Sequence, residues 1–190
     1  MNRLEAIQCV VDGLPGDELI VHANGVISRD SFYCADRKEN FYLLGSMGLA
    51  SSVGVGVALS RPDRRVLIFD GDGNILMGFG NLALIGALKP SNLIHLVFDN
   101  EAYGTTGNQP TLSARVSLSE AARASGYLSA ALVTRRRELL EVMPTLYRAP
   151  GPHFLQIKVS RDVPVTGPRI PYSAREIKER FMKVLGNRSD

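Results

Sequence analysis

Two apolar runs, each ending in a polar corner, constrain this chain more than any other feature. "VLIFDGDGN" puts Asp72 just past residues 66–69, and "LIHLVFDNEAYG" puts Asn100 just past residues 93–98, 28 positions after Asp72. Near-continuous apolar runs of this length are what strands covered on both faces require. Between them, "ILMGFGNLALIGALK" has the length of a helix, and "KPSN" ends it. Strand, helix and strand in that order predict a right-handed crossover between parallel strands. If the two strands are neighbours, the carboxylate of Asp72 and the carboxamide of Asn100 meet at the carboxyl edge of the sheet. That edge is where parallel sheets bind ligands.

The rest of the chain extends the same alternation. Residues 3–11 read as a short helix broken by "GLPGD", and "ELIVHANG" reads as a strand running into a turn. "ISRDSFYCA" has helical spacing, "NFYLLGSMG" is a strand leading to a glycine turn, and "LASSVGVGVALS" is a small-residue helix ended by "RPDR". "SLSEAARASGY" is a helix stopping at Gly126, "RRRELLEVMPTLYR" is another, and "HFLQIKV" is the last strand. The expectation is an α/β protein, with residues 1–162 forming a single three-layer domain whose mostly parallel sheet is flanked by helices. Residues 163–190 form a C-terminal arm and helix. "RDVPVTGPRIPYSA" has three prolines and a glycine and reads as extended. Ser173 and Glu176 have the spacing of a capping box. Ile177, Phe181 and Leu185 share one face of the helix that follows, which either clasps a neighbouring subunit or packs back on its own domain.

Composition narrows the function. Hydrophobic residues make up 45% of the 190, enough for a real core. No apolar run reaches the ~18 residues of a membrane span. The N-terminal stretch carries acids within its apolar part and does not read as a secretory signal, so the expected compartment is the cytoplasm. Cys9 and Cys34 are the only cysteines, which argues against a disulfide framework, a zinc site or an iron–sulfur cluster. A net charge of +3 with no tryptophan gives no stripe for nucleic acid. The one dense basic cluster, Arg135 to Arg137, reads as a solvated helix face.

A carboxylate and a carboxamide are hard oxygen donors, suited to Mg²⁺ or Ca²⁺ rather than to a soft transition metal. Gly71 and Gly73 let the backbone approach a ligand. A helix starting after Asn74 would turn its free N–H groups toward the same crevice. Metal and helix end together would hold a diphosphate, with Asp72 expected on an exposed loop.

"GDGN" followed by "FDNEAYG" resembles the signature of thiamine-diphosphate enzymes, in the domain that anchors the cofactor's diphosphate. "NFYLLGSMGLASS", "DNEAYGTTGNQPT" and "PYSAREIKERFMKVL" are similar to the β chain of sulfopyruvate decarboxylase and the corresponding half of phosphonopyruvate decarboxylase, over nearly the whole chain. The resemblance implies a thiamine-diphosphate-binding fold. It also implies that Asp72, Asn100 and the Ala102 carbonyl hold Mg²⁺. Gly73, Asn74 and Tyr103 would contact the diphosphate, and Asn24 and Gly25 would form its other turn. Gly45 and Met47 would meet the aminopyrimidine through backbone atoms, and Met47 would wedge the cofactor into a bent shape. Ser46, Gly71 and Gly104 complete the implied cofactor site. Thr105, Thr106 and Gln109 would border the substrate or simply stabilise a turn. Asp99 stands where the family often has asparagine, and Asn108 where a glycine is expected.

Four further residues stay open. His22 and His95 lie in apolar strands and read first as core histidines, with His22 nearer a strand end. Arg29 and Arg37 could attract an acidic substrate or be ordinary surface residues.

The family draws its activating glutamate from a second, pyrimidine-binding domain, which has no room in 190 residues. The implied partner is an α subunit carrying that domain, with self-association of this chain when alone. The implied reaction is decarboxylation of an acidic 2-oxo acid, 3-sulfopyruvate or phosphonopyruvate. Two rivals remain. One is a β subunit of a 2-oxo-acid:ferredoxin oxidoreductase, which visible iron–sulfur absorption of the assembly would reveal. The other is a non-catalytic cofactor-binding subunit. A dinucleotide site scores poorly, because "GVGVAL" does not open the first strand–helix turn.

Overall fold

The two apolar runs are adjacent parallel strands, Val66–Gly71 and Leu93–Asp99, with every residue buried. The computed structural model describes residues 1–161 and 168–186. In chain order the elements are α1 (Arg3–Asp12), β1 (Leu19–His22), α2 (Val26–Cys34), β2 (Asn40–Tyr42), α3 (Ala50–Ser60), β3 (Val66–Gly71), α4 (Asp72–Met77) and α5 (Gly80–Leu88). They continue with β4 (Leu93–Asp99), β5 (Ala102–Tyr103), β6 (Gln109–Pro110), α6 (Leu118–Ala124), β7 (Ser129–Val133), α7 (Arg136–Arg148), β8 (His153–Lys158) and α8 (Ala174–Gly186). Six strands form one sheet in the order β2-β1-β3-β4-β8-β7, and every pairing in it is parallel. β5 and β6 make a separate antiparallel pair. Among the described residues no helix is long and apolar enough to cross a membrane.

Alternate side chains of the strands feed two cores. Val21, Val66, Ile68 and Val97 meet α3, α5, α6 and α8 on one face. Ile20, Leu67, Phe69, Leu96 and Phe98 meet α1, α2 and α7 on the other. Each buried side chain of this kind contributes about 1.5–3 kcal/mol by leaving water. The three-layer expectation therefore holds. β1 has β2 on one side and β3 on the other, so the strand order reverses direction between β1 and β3. That reversal opens a crevice at the carboxyl edge.

Two details differ from the sequence reading. The long helix expected between β3 and β4 is two helices, broken at Gly78 and Phe79. A Cβ on Gly78 would lie 2.1 Å from the Gly48 carbonyl oxygen, so the close approach of that turn sets the break. β7 was missed, because "SAALV" has one β-branched residue and no clean alternation. The arm predicted across 161–174 falls partly on residues 162–167, outside the described residues.

The last helix packs back on its own domain. Ser173 and Glu176 form the capping box: Ser173 N–H donates to Glu176 Oε2 at 2.8 Å, and Glu176 N–H donates to Ser173 Oγ at 3.3 Å. Phe181 is buried against Phe41 of β2, ring centroids 5.3 Å apart. Arg61 donates to the Leu185 carbonyl at 2.9 Å, closing the far end of α8. The basic cluster at the start of α7 is a solvated face, with Arg137 paired to Glu141 at 3.0 Å and both exposed.

Candidate functional site

The carboxyl ends of β1, β3 and β4 border an open cleft with a cavity of about 80 Å³. Asn24 and Gly25 come to it from the turn after β1, Gly71 to Asn74 from the β3–α4 junction, and Asn100, Ala102, Tyr103 and Gly104 from the segment after β4. Met47 enters from the turn after β2. Residues distant along the chain are thus brought together. Gly45 and Ser46 do not line the cleft and are exposed at its margin.

Asp72 is not on an exposed loop. It is 3% exposed and is the first residue of α4, so the helix begins two residues before Asn74 rather than after it. Its Oδ2 accepts a bond from Thr111 Oγ1 at 2.5 Å. Ser113, 3.3 Å from the same oxygen, donates to Asp99 Oδ1 at 2.8 Å. Burial pushes the Asp72 carboxyl up to about 6; the Thr111 bond opposes this and the charge of Asp99 adds to it. Thr111 and Ser113 carry no recognisable signal in the sequence, since they reach Asp72 from some 40 positions away.

Asn100 follows β4 and is 8% exposed. Its Oδ1 accepts from Ala102 N–H at 3.2 Å, folding the chain over Glu101, which sits at φ 58°. The Ala102 carbonyl accepts from Gly104 N–H at 3.1 Å and keeps a second lone pair. One buried carboxylate, one carboxamide and one carbonyl make a hard oxygen set. It fits Mg²⁺, which takes few protein ligands and fills its shell with phosphate oxygens and water. A cation would also relieve the cost of ionising Asp72 in a desolvated corner.

The side chain of Asn74 is held by two buried hydrogen bonds. Its Oδ1 accepts from Gly48 N–H at 2.6 Å, and its Nδ2 donates to Asp70 Oδ1. The side chain is committed to these partners, leaving the backbone of Asn74 to face a ligand. Asp70 Oδ2 lies 3.1 Å from His95 Nε2, and His95 Nδ1 lies 3.0 Å from the Tyr127 hydroxyl. His95 is therefore a satisfied core residue that supports the turn carrying Met47. His22 is also core: its ring nitrogens meet Phe41 O at 3.2 Å and Ser31 Oγ at 2.7 Å, and burial pushes it down to about 3.

The remaining candidates divide. Tyr103 packs so closely on Gly73 that a Cβ there would lie 2.4 Å from its ring. Thr105 lines the cleft. Thr106 and Gln109 are exposed and bond each other at 2.8 Å, the turn-stabilising role. Asn108 adopts φ 57°, which asparagine tolerates, and its N–H donates to Tyr103 O at 3.1 Å. The loop thus closes without the expected glycine. Asp99, buried, is held by Gln156 at 2.6 Å and Lys158 at 2.7 Å. Arg37 donates to the Glu18 carbonyl at 2.7 Å, away from the cleft. Arg3 lines the cleft and was not anticipated.

Fold and cleft together define an α/β domain with a polar pocket at the switch point of a parallel sheet. Residues 31–157 match the thiamine pyrophosphate enzyme C-terminal TPP-binding domain. The chain belongs to the thiamine pyrophosphate enzyme family and, within it, groups with sulfopyruvate decarboxylase β subunits and phosphonopyruvate decarboxylases. It is 40% identical over 186 residues to sulfopyruvate decarboxylase subunit beta of Methanothermobacter thermautotrophicus, covering 96% of this chain and 95% of that one. It is 40% identical over 158 residues to phosphonopyruvate decarboxylase of Streptomyces viridochromogenes, covering 83% of this chain but only 40% of that protein. Among solved structures, a thiamine diphosphate-dependent 4-hydroxybenzoylformate decarboxylase of Rhodococcus jostii RHA1 superimposes with a TM-score of 0.72 over 85% of this chain and 33% of that one. At 19% identity that likeness concerns the fold alone.

Proposed function

We propose that this chain is the diphosphate-anchoring β subunit of a decarboxylase that uses thiamine diphosphate and Mg²⁺ on an acidic 2-oxo acid. The leading substrate is 3-sulfopyruvate, giving sulfoacetaldehyde and CO₂, with phosphonopyruvate next. The observation that carries this reading is the meeting of Asp72, Asn100 and Ala102 with Gly73, Asn74 and Met47 in one cleft. The similarity to sulfopyruvate decarboxylase β subunits supports the division of labour.

Asp72, Asn100 and the Ala102 carbonyl would hold Mg²⁺ against the diphosphate. Gly73 keeps the floor open to a close approach, and Tyr103 covers it. Met47, half-buried and fixed by the turn at Gly48, offers an unbranched apolar side chain to the middle of the cofactor. Bound thiamine diphosphate supplies the electron sink that lets a 2-oxo acid lose CO₂. The activating glutamate comes from the α subunit, with the active site at the interface.

The test is CO₂ release from this chain alone, the α subunit alone and the mixture, each with and without Mg²⁺ and thiamine diphosphate. Activity is expected only from the complete mixture, and full activity from this chain by itself overturns the split site. Asp72→Asn keeps the shape of the corner and is expected to abolish Mg²⁺-dependent turnover; an unchanged rate removes Asp72 from the metal site.

A further inference from the structure

Arg3 is a cation buried beside the cleft with part of its donor capacity unspent. It is 5% exposed, sits in the first turn of α1 and lines the cleft together with Asp72, Gly73, Asn74 and Asn100. Its Nε donates to Asp30 Oδ2 at 2.7 Å, and Asp30 is fully buried. Its Nη2 is buried and has no hydrogen-bond partner among the described residues. Other buried side-chain atoms in that condition belong to Glu18, Arg37, Asn40 and Tyr147, none of which lines the cleft.

A guanidinium nitrogen left unbonded in a desolvated place is costly, and native structures rarely keep one without a use. The apolar neighbours Ile27 and Phe98 line the same cleft and offer it no acceptor from their side chains. Asp30 tethers the guanidinium through Nε alone, so the group is anchored before a ligand arrives while Nη2 stays unbonded. A guanidinium presented in this way matches the oxygens of a phosphoryl group.

We infer that Arg3 is a binding residue for the diphosphate of the cofactor, donating from Nη2 to a phosphoryl oxygen. This rests on the diphosphate-anchoring reading above and adds a residue to it. Asp30 would act on that oxygen only through Arg3, as a positioning residue. The assignment to diphosphate rather than to the acidic tail of the substrate follows from the company Arg3 keeps. It shares its cleft with the proposed metal and diphosphate residues Asp72, Gly73, Asn74, Asn100 and Tyr103, and Thr105 is the one substrate-side candidate among them.

The experiment titrates the full chain with magnesium pyrophosphate, followed by ³¹P resonance and by thermal shift, up to millimolar concentration. The same titrations are run on Arg3→Lys, which keeps a positive charge for Asp30 but removes the guanidinium fork, and on Asp30→Asn. A second arm uses methanesulfonate as a probe of the substrate tail. Arg3→Lys is expected to weaken pyrophosphate binding about tenfold, the loss of one charge-assisted hydrogen bond, with little change in melting temperature of the ligand-free chain. Asp30→Asn is expected to weaken it less than Arg3→Lys does. Equal pyrophosphate affinity in wild type and Arg3→Lys overturns the role of Arg3 while leaving the anchoring function intact. A loss confined to methanesulfonate also overturns it. No binding of magnesium pyrophosphate to the wild-type chain overturns both.

Discussion

The helices α3, α4 and α5 differ from α7 and α8 in what they show to the outside. α3 and α5 contain no charged residue, and the layer exposes Leu59, Met77, Phe79, Leu84 and Leu88. α7 buries Leu139, Met143 and Leu146 and turns arginines and glutamates outward. α8 does the same, burying Ile177, Phe181 and Val184 and pairing Arg175 with Glu179 at 2.8 Å on its outer side. One set of helices is finished by water. The other leaves an apolar surface of the kind that marks a protein–protein contact. The turn carrying Met47 leads directly into α3, so the unfinished layer adjoins the proposed active site. This contrast agrees with a site completed by an α subunit.

The largest effect should come from placing a charge on each surface in turn. Leu84→Glu on α5 is expected to reduce co-elution with the α subunit and the activity of the mixture by about tenfold or more. Leu140→Glu on α7, similarly exposed, is expected to leave both unchanged. Equal losses would erase the distinction between the two surfaces.

Next comes the packing beneath the apolar layer. A Cβ on Gly86 would lie 1.8 Å from the Ser125 carbonyl oxygen, a backbone atom that cannot swing aside. Gly86→Ala is expected to cost about 3 kcal/mol in urea unfolding. A change near zero would mean that α5 is loosely held.

The opposite face of the sheet can be probed by pH. His22, the last residue of β1, is kept neutral by burial, its pKa lowered from 6.5 to about 3. The unfolded chain therefore takes up the proton first. The stability this contributes is fully present above about pH 6.5 and is lost as pH falls toward 3. By about pH 5 the loss should reach roughly 2 kcal/mol, and His22→Gln should flatten that slope. An unchanged slope would assign the acid sensitivity elsewhere.

The smallest expected effect is at the α8 cap. Ser173→Ala removes the oxygen that accepts from Glu176 N–H and should cost about 1 kcal/mol by thermal unfolding. Loss of α8 contacts with no change in stability would show that the helix adds little to its edge of the sheet.

Much of the cleft was legible in the sequence because its main pieces are local. Asp72 and Asn100 stand at the ends of the two strongest apolar runs, and each needs only its own strand and turn to be placed. The Ser173 and Glu176 cap is likewise a pattern within four residues. What stayed hidden depends on contacts between distant segments. The burial of Asp72 follows from Thr111 and Ser113 closing over it, and no local pattern announces them. Arg3 reads as an ordinary helix residue until α1 is laid beside α2 and Asp30. The break between α4 and α5 needs the turn at Gly48 to come within reach of Gly78. The commitment of the Asn74 side chain to Gly48 and Asp70 is invisible for the same reason.

The run of bonds from Tyr127 through His95, Asp70 and Asn74 to the Gly48 amide has a consequence for binding entropy. It fastens the Met47 turn to the middle of the sheet through groups that are buried. The turn therefore gives up its conformational freedom when the domain folds, not when a ligand enters. A cofactor meeting that turn finds its shape already set. Exchange of the Gly48 amide with solvent should accordingly follow opening of the whole sheet rather than local fraying of the loop.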